Sequence, residues 1–60
     1  MKSNTMFIAD IRCRVLGIKA DIKKGYSVEE ACTRARYTVK AYYADIDILN
    51  RNGFSYEKEK

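Results

Sequence analysis

The stretch ARYTVKAYYADIDIL, Ala35 to Leu49, decides how this chain folds. Val39, Tyr42, Ile46 and Leu49 recur at the spacing of one helix face, and Tyr37, Ala41, Ala44 and Ile48 recur at the same kind of spacing. At about 100° per residue the second series lies nearly opposite the first. Read as unbroken helix, the stretch carries two apolar stripes and needs a neighbour on each side.

Upstream, Val28, Cys32 and Ala35 extend the first series. The spacing predicts a helix 2 over about residues 28–52. Ser27 stands where an N-cap is needed, and Glu30 three residues on can complete a capping box, with Tyr26 placed to staple onto Ala31. Before it, Lys23 and Lys24 precede Gly25, a helix C-terminus followed by the residue that takes the left-handed cap without penalty. Gly53 has the same position after Asn50–Asn52.

Between the N-terminus and Gly25, Ile8, Ile11, Val15, Ile18 and Ile22 share one face, so the spacing predicts a helix 1 over about residues 4–24. Gly17 inside it costs about 1 kcal/mol relative to Ala and marks either a close backbone approach or an incidental substitution.

So short a connection at Gly25 makes consecutive helices antiparallel neighbours. The expected fold is all-α, a single domain over residues 1–60 built as a two-helix antiparallel hairpin. Its seam pairs Ile22 with Val28, Ile18 with Cys32, Val15 with Ala35, Ile11 with Val39 and Ile8 with Tyr42. Met6, Ala9, Cys13, Leu16 and Ala20 form a second stripe on the far side of helix 1, matching Tyr37, Ala41, Ala44 and Ile48 on helix 2. Helix 2 also overhangs helix 1, leaving Ile46, Leu49, Phe54 and Tyr56 without cover. Both features predict a homodimeric four-helix bundle closed by a twofold axis. Residues 54–60 have no apolar period and are expected to fray.

Composition supports a small chain that needs such help. Sixty residues bury a modest share of their surface. There is no His, and the two Cys, Cys13 and Cys32, are too few for a disulfide scaffold or a four-thiolate zinc site. No metal or cofactor is expected, and both thiols are read as unpaired small hydrophobes. Asp10 and Arg12 interrupt the N-terminal apolar run, so neither a signal peptide nor a membrane span is expected, and the chain is placed in the cytoplasm. Residues 1–25 hold six basic and two acidic side chains, whereas the rest of the chain is balanced, so the whole net charge of +4 belongs to the first half.

No catalytic constellation is visible. A His base is lacking. Ser27 is accounted for as a cap, and Asp45 and Asp47 diverge around a helix. The expected function is therefore a small non-enzymatic protein-interaction module, a regulator, inhibitor or adaptor, of a kind suited to a phage or mobile element. Its interface would be Met6, Ala9, Cys13, Leu16, Ala20, Tyr37, Ala41, Ala44 and Ile48, meeting an unidentified protein or a second copy. The alternative is a nucleic-acid-binding hairpin dimer. Arg12, Lys19 and Lys23 form a row on helix 1 with no acid among them, Arg34 and Arg36 add charge to it, and the other edge of helix 1 can pair Asp10 with Arg14.

Overall fold

The computed structural model describes residues 4–59, with side chains from residue 7 onward. Three α-helices follow one another, α1 (Asn4–Lys24), α2 (Val28–Arg34) and α3 (Val39–Arg51). No strand occurs among the described residues. No helix among them is long and apolar enough to cross a membrane.

The first boundary follows the sequence. Gly25 sits at φ 121°, its N–H donates to the Ile22 carbonyl at 3.0 Å, and the Tyr26 N–H reaches the Asp21 carbonyl at 3.2 Å. This pair of bonds is a Schellman closure. Ser27 Oγ then accepts from the Glu30 N–H at 3.1 Å while Glu30 Oε1 accepts from the Ser27 N–H at 3.2 Å. The capping box is complete, and α2 starts there.

The second boundary corrects the hairpin. The single helix expected over residues 28–52 is two helices, separated by Ala35–Thr38. The Arg36 N–H bonds to the Thr33 carbonyl at 3.0 Å and the Tyr37 N–H to the Cys32 carbonyl at 2.9 Å. This is the closure seen at Gly25, but the left-handed position is filled by Arg36 at φ 57°. Thr38 restarts the chain as an N-cap, its Oγ1 accepting from the Ala41 N–H at 3.0 Å. α3 ends on the same device at Gly53, with the Phe54 N–H on the Leu49 carbonyl at 3.1 Å.

The break at Arg36 sets the sign of a substitution. A left-handed conformation costs an L-residue about 1–2 kcal/mol. The extra unfolded-state freedom of Gly returns roughly 0.5–1 kcal/mol of that. Arg36→Gly is therefore expected to raise stability by about 0.5–1 kcal/mol, measured by urea or thermal unfolding. In an unbroken helix the same change would lower stability by about 1 kcal/mol.

The three helices enclose one core, with α1 packed on both α2 and α3 and these on each other. Ile11, Val15 and Ile18 of α1 meet Val28, Ala31 and Cys32 of α2 and Tyr42, Ile46 and Leu49 of α3. Ile8, Ile22 and Val39 are partly buried at its margin. The expected seam residues are thus inside, except Ala35, which the end of α2 turns to solvent. Ile46 and Leu49 are fully buried within one chain. The overhang that called for a second copy is absent, because α2 turns the chain and returns α3 onto α1. No described part of this chain approaches Gly17 closely: a Cβ there would meet nothing within 4 Å.

Residues 54–59 are not frayed. They run back along α3 as an extended strap, with Phe54 and Tyr56 packed against the core. Asn50 fixes the register through both ends of its amide: Nδ2 donates to the Tyr56 carbonyl at 3.0 Å and Oδ1 accepts from the Tyr56 N–H at 2.8 Å.

Candidate functional site

Two surfaces carry concentrated chemistry. The first is built by α2, the connection Ala35–Thr38 and α3. The core takes Tyr42, Asp45, Ile46 and Leu49 from α3, which leaves Lys40, Ala44 and Arg51 exposed on its opposite face. Asp47 shares that face but is ion-paired to Lys58 at 2.8 Å. Thr38 and Arg36, at the entrance to α3, are exposed. The outward side of the connection and of the N-terminal half of α3 is therefore basic and polar, with the small residue Ala44 in its middle.

The connection is held rigidly from below. Tyr37, expected on an outer stripe, points inward: its hydroxyl donates to Asp45 Oδ2. Arg14 Nη1 donates to the Tyr37 hydroxyl at 3.1 Å, lies 3.5 Å from Asp45 Oδ2, and its guanidinium stands 4.7 Å from the ring centroid. Asp45 is only 7% exposed, so these partners are what make its burial tolerable. Burial, reinforced by the bond to Asp45, pushes the Tyr37 hydroxyl pKa up and keeps it a donor. Arg14 is thus spent on Asp45, in place of the expected Asp10 partner. Arg34 reaches Asp21 at 3.2 Å and stacks 4.3 Å from the Tyr26 ring, tying the end of α2 to α1. Between these two pairs lies an open cleft of about 480 Å³ lined by Arg14, Gly17, Ile18, Asp21, Arg34 and Ala35. Its arginines face carboxylates, and it holds no nucleophile.

The second surface is the α1 row of Arg12, Lys19 and Lys23. Lys23 is exposed, Arg12 is exposed but bonded by the strap, and Lys19 is partly covered by it. Lys19 Nζ donates to the Glu57 carbonyl at 2.6 Å and to Glu59 Oε2 at 2.9 Å. Arg12 Nε donates to the Tyr56 hydroxyl at 2.9 Å, with its guanidinium 5.2 Å from the Phe54 centroid. The other Glu59 oxygen accepts from the Tyr42 hydroxyl at 2.7 Å, and the Tyr43 hydroxyl donates to the Glu59 carbonyl. Burial raises the Glu59 pKa, but the bonds from Tyr42 and Lys19 outweigh it and hold the carboxyl below its ordinary value. Burial and the bond to Glu59 drive the Tyr42 pKa far upward. The row that the sequence shows free of acids has one laid on it by the fold.

The sequence-derived residues do not gather into one site. Arg34 is attached to the Asp21 edge of α1, and Lys19 stands on the other edge, so Arg34 is separated from the Arg12–Lys19–Lys23 row. Ala9, Cys13, Leu16 and Ala20 are exposed along the far side of α1 as expected, with Leu16 at 40%. The Met6 side chain lies outside the described residues. The matching helix 2 series is dispersed: Tyr37 leaves the helix, Ala41 and Ile48 are half-buried, and Ala44 alone is exposed. The far sides of α1 and α3 also point away from each other, since the two helices pack through their buried faces. Arg36 was expected to add charge beside Arg34, but Thr38 and Lys40 were missed as its companions because only the break places them together at the entrance to α3.

Among the described residues no group of three His, Cys, Asp or Glu side chains could hold a metal ion. Cys13 is exposed and Cys32 buried, both unpaired. Burial raises the Cys32 thiol pKa, with the negative charge of Glu59 adding to it. No protein-family model, curated protein or solved structure matches this chain.

Proposed function

We propose that the chain is a non-enzymatic nucleic-acid-binding regulator that needs no cofactor and sets α3 against the major groove of duplex DNA. The observation carrying this reading is the order α2, four-residue connection, α3, with Arg36, Thr38, Lys40 and Ala44 facing outward where α3 begins. A short helix followed by a tight turn and a longer exposed helix is the arrangement that presents a recognition helix. A major groove about 12 Å wide admits one helix, and Ala44 lets the α3 axis approach. The net charge of +4, carried by residues 1–25, favours approach of a polyanion to the molecule as a whole. The reading places the protein with nucleic acid in the cytoplasm.

Fluorescence anisotropy with a labelled duplex tests it. Arg36→Glu with Lys40→Glu is expected to weaken binding at least tenfold and to lower the slope of log affinity against log salt by about two, one for each lost phosphate contact. Unchanged affinity in the folded double variant overturns the assignment.

The α1 stripe supports a second reading, the protein-interaction module, because Ala9, Cys13, Leu16 and Ala20 stay exposed in a line after the core is complete. Its occupant is proposed to be a second copy, which would give a duplex-binding domain two half-sites. Light scattering at micromolar concentration decides this: a dimer lost in Leu16→Asp supports it, and a monomeric parent protein sinks it.

A further inference from the structure

We infer that the far end of the strap Phe54–Glu59 is an intramolecular competitor that occupies Lys19 in a second polyanion-contact row, Arg12 and Lys19 on α1, and is displaced when that row binds a phosphate backbone. This rests on the duplex-binding reading above and adds the regulation of that activity.

The strap offers these two side chains what a phosphodiester would offer. Lys19 receives an anionic oxygen of Glu59 and the Glu57 carbonyl oxygen, at 2.9 and 2.6 Å. Arg12 receives the Tyr56 hydroxyl oxygen at 2.9 Å. Oxygen acceptors, one of them charged, thus stand against two cations on one edge of a helix. Charge-assisted bonds of this kind are about twice as strong as neutral ones.

The anchorage is also uneven, as a displaceable element requires. Phe54 and Tyr56 are held by the core and by Asn50, so the base of the strap is fixed. Its far end depends on polar groups alone: Glu59 on Lys19, Tyr42 and Tyr43, and Lys58 on Asp47. The Lys58–Asp47 pair is about half exposed and contributes little. Glu59 is therefore the latch. Once Glu59 lets go, the Glu57 carbonyl is the one remaining strap contact of Lys19, and lifting this end frees Lys19 beside the exposed Arg12 while leaving the core covered.

Full-length Glu59→Gln and Glu57→Gln proteins separate masking from overall charge. Both changes raise the net charge by the same amount, but Glu57 touches Lys19 only through its backbone carbonyl. Duplex affinity is measured across a salt series for the parent and both variants. Glu59→Gln is expected to bind at least threefold tighter than Glu57→Gln, with a steeper salt slope. That gain should vanish when Arg12→Ala and Lys19→Ala are added. Equal affinities in the two Gln variants, with binding still weakened by Lys40→Glu, overturn the latch and leave the α3 assignment standing. Failure of every variant to bind duplex at low salt overturns both. A gain that survives Arg12→Ala and Lys19→Ala overturns the assignment of the row as the masked surface.

Discussion

Tyr42→Ala is expected to leave most of the chain unfolded at 25 °C. The ring is fully buried at the centre of the three-helix core. Truncating a buried aromatic to Ala costs about 3–5 kcal/mol, and a domain of this length has roughly 3–9 kcal/mol in total. The same side chain also holds the strap, since its hydroxyl donates to Glu59. Tyr42→Phe separates the two roles. It keeps the ring and loses one charge-assisted bond, worth about 1.5–3 kcal/mol, so a shifted but cooperative unfolding transition is expected. Circular dichroism during urea unfolding reads both. A cooperative, fully folded Tyr42→Ala protein would show that the ring is not the core's centre.

Asp45→Leu is expected to destabilise by about 1–3 kcal/mol, although it places an apolar residue on the buried side of α3. The carboxylate is the acceptor for the Tyr37 hydroxyl and the partner of Arg14. Its loss strands a half-buried hydroxyl, and an unsatisfied buried polar group costs about that much. The companion change Tyr37→Phe removes the stranded group and should restore much of the loss, a coupling readable in a double-mutant cycle. Additive effects would mean that the two side chains do not act together. Duplex binding in Asp45→Leu should weaken too, since Tyr37 sets the connection that orients Lys40.

The core was legible from spacing, and the break was not, for a connected reason. Cys32 and Val39 are seven residues apart, the interval at which a continuous helix repeats its seam. The apolar series therefore passes through Ala35–Thr38 without losing step. Two of the three Schellman closures carry Gly, at Gly25 and Gly53, and both ends were read correctly. The third uses Arg36, and its restart at Thr38 has Ala41 where a capping box has an acid. Thr38 is a preferred N-cap type, but without Gly at the closure or an acid at the third helical position its signal does not outweigh the continuous apolar period. Ala35 is the residue that betrays the error, since an unbroken helix would have buried it. The outer stripe on helix 2 followed from the same mistake, because Tyr37 belongs to it only if the helix is continuous. The strap was missed because Phe54 and Tyr56 follow no helical period and its polar bonds reach residues 6 to 44 positions away, so no local pattern records them.

Those attachments also give the molecule a topological hierarchy. Every helix closes through bonds between near neighbours, and Arg14–Tyr37 and Arg34–Asp21 span 23 and 13 residues. The strap's bonds to α1 join residues 38 to 44 apart, from Lys19 with Glu57 to Arg12 with Tyr56, whereas its bonds to α3 span 6 to 17. The strap thus closes the longest loops in the fold, and loop-closure entropy grows with length. Its far end is expected to open before the helices part, because Glu59 and Lys58 hold it through polar groups alone. Hydrogen exchange should register it as the least protected unit, a hinged flap on a slower-opening helical body.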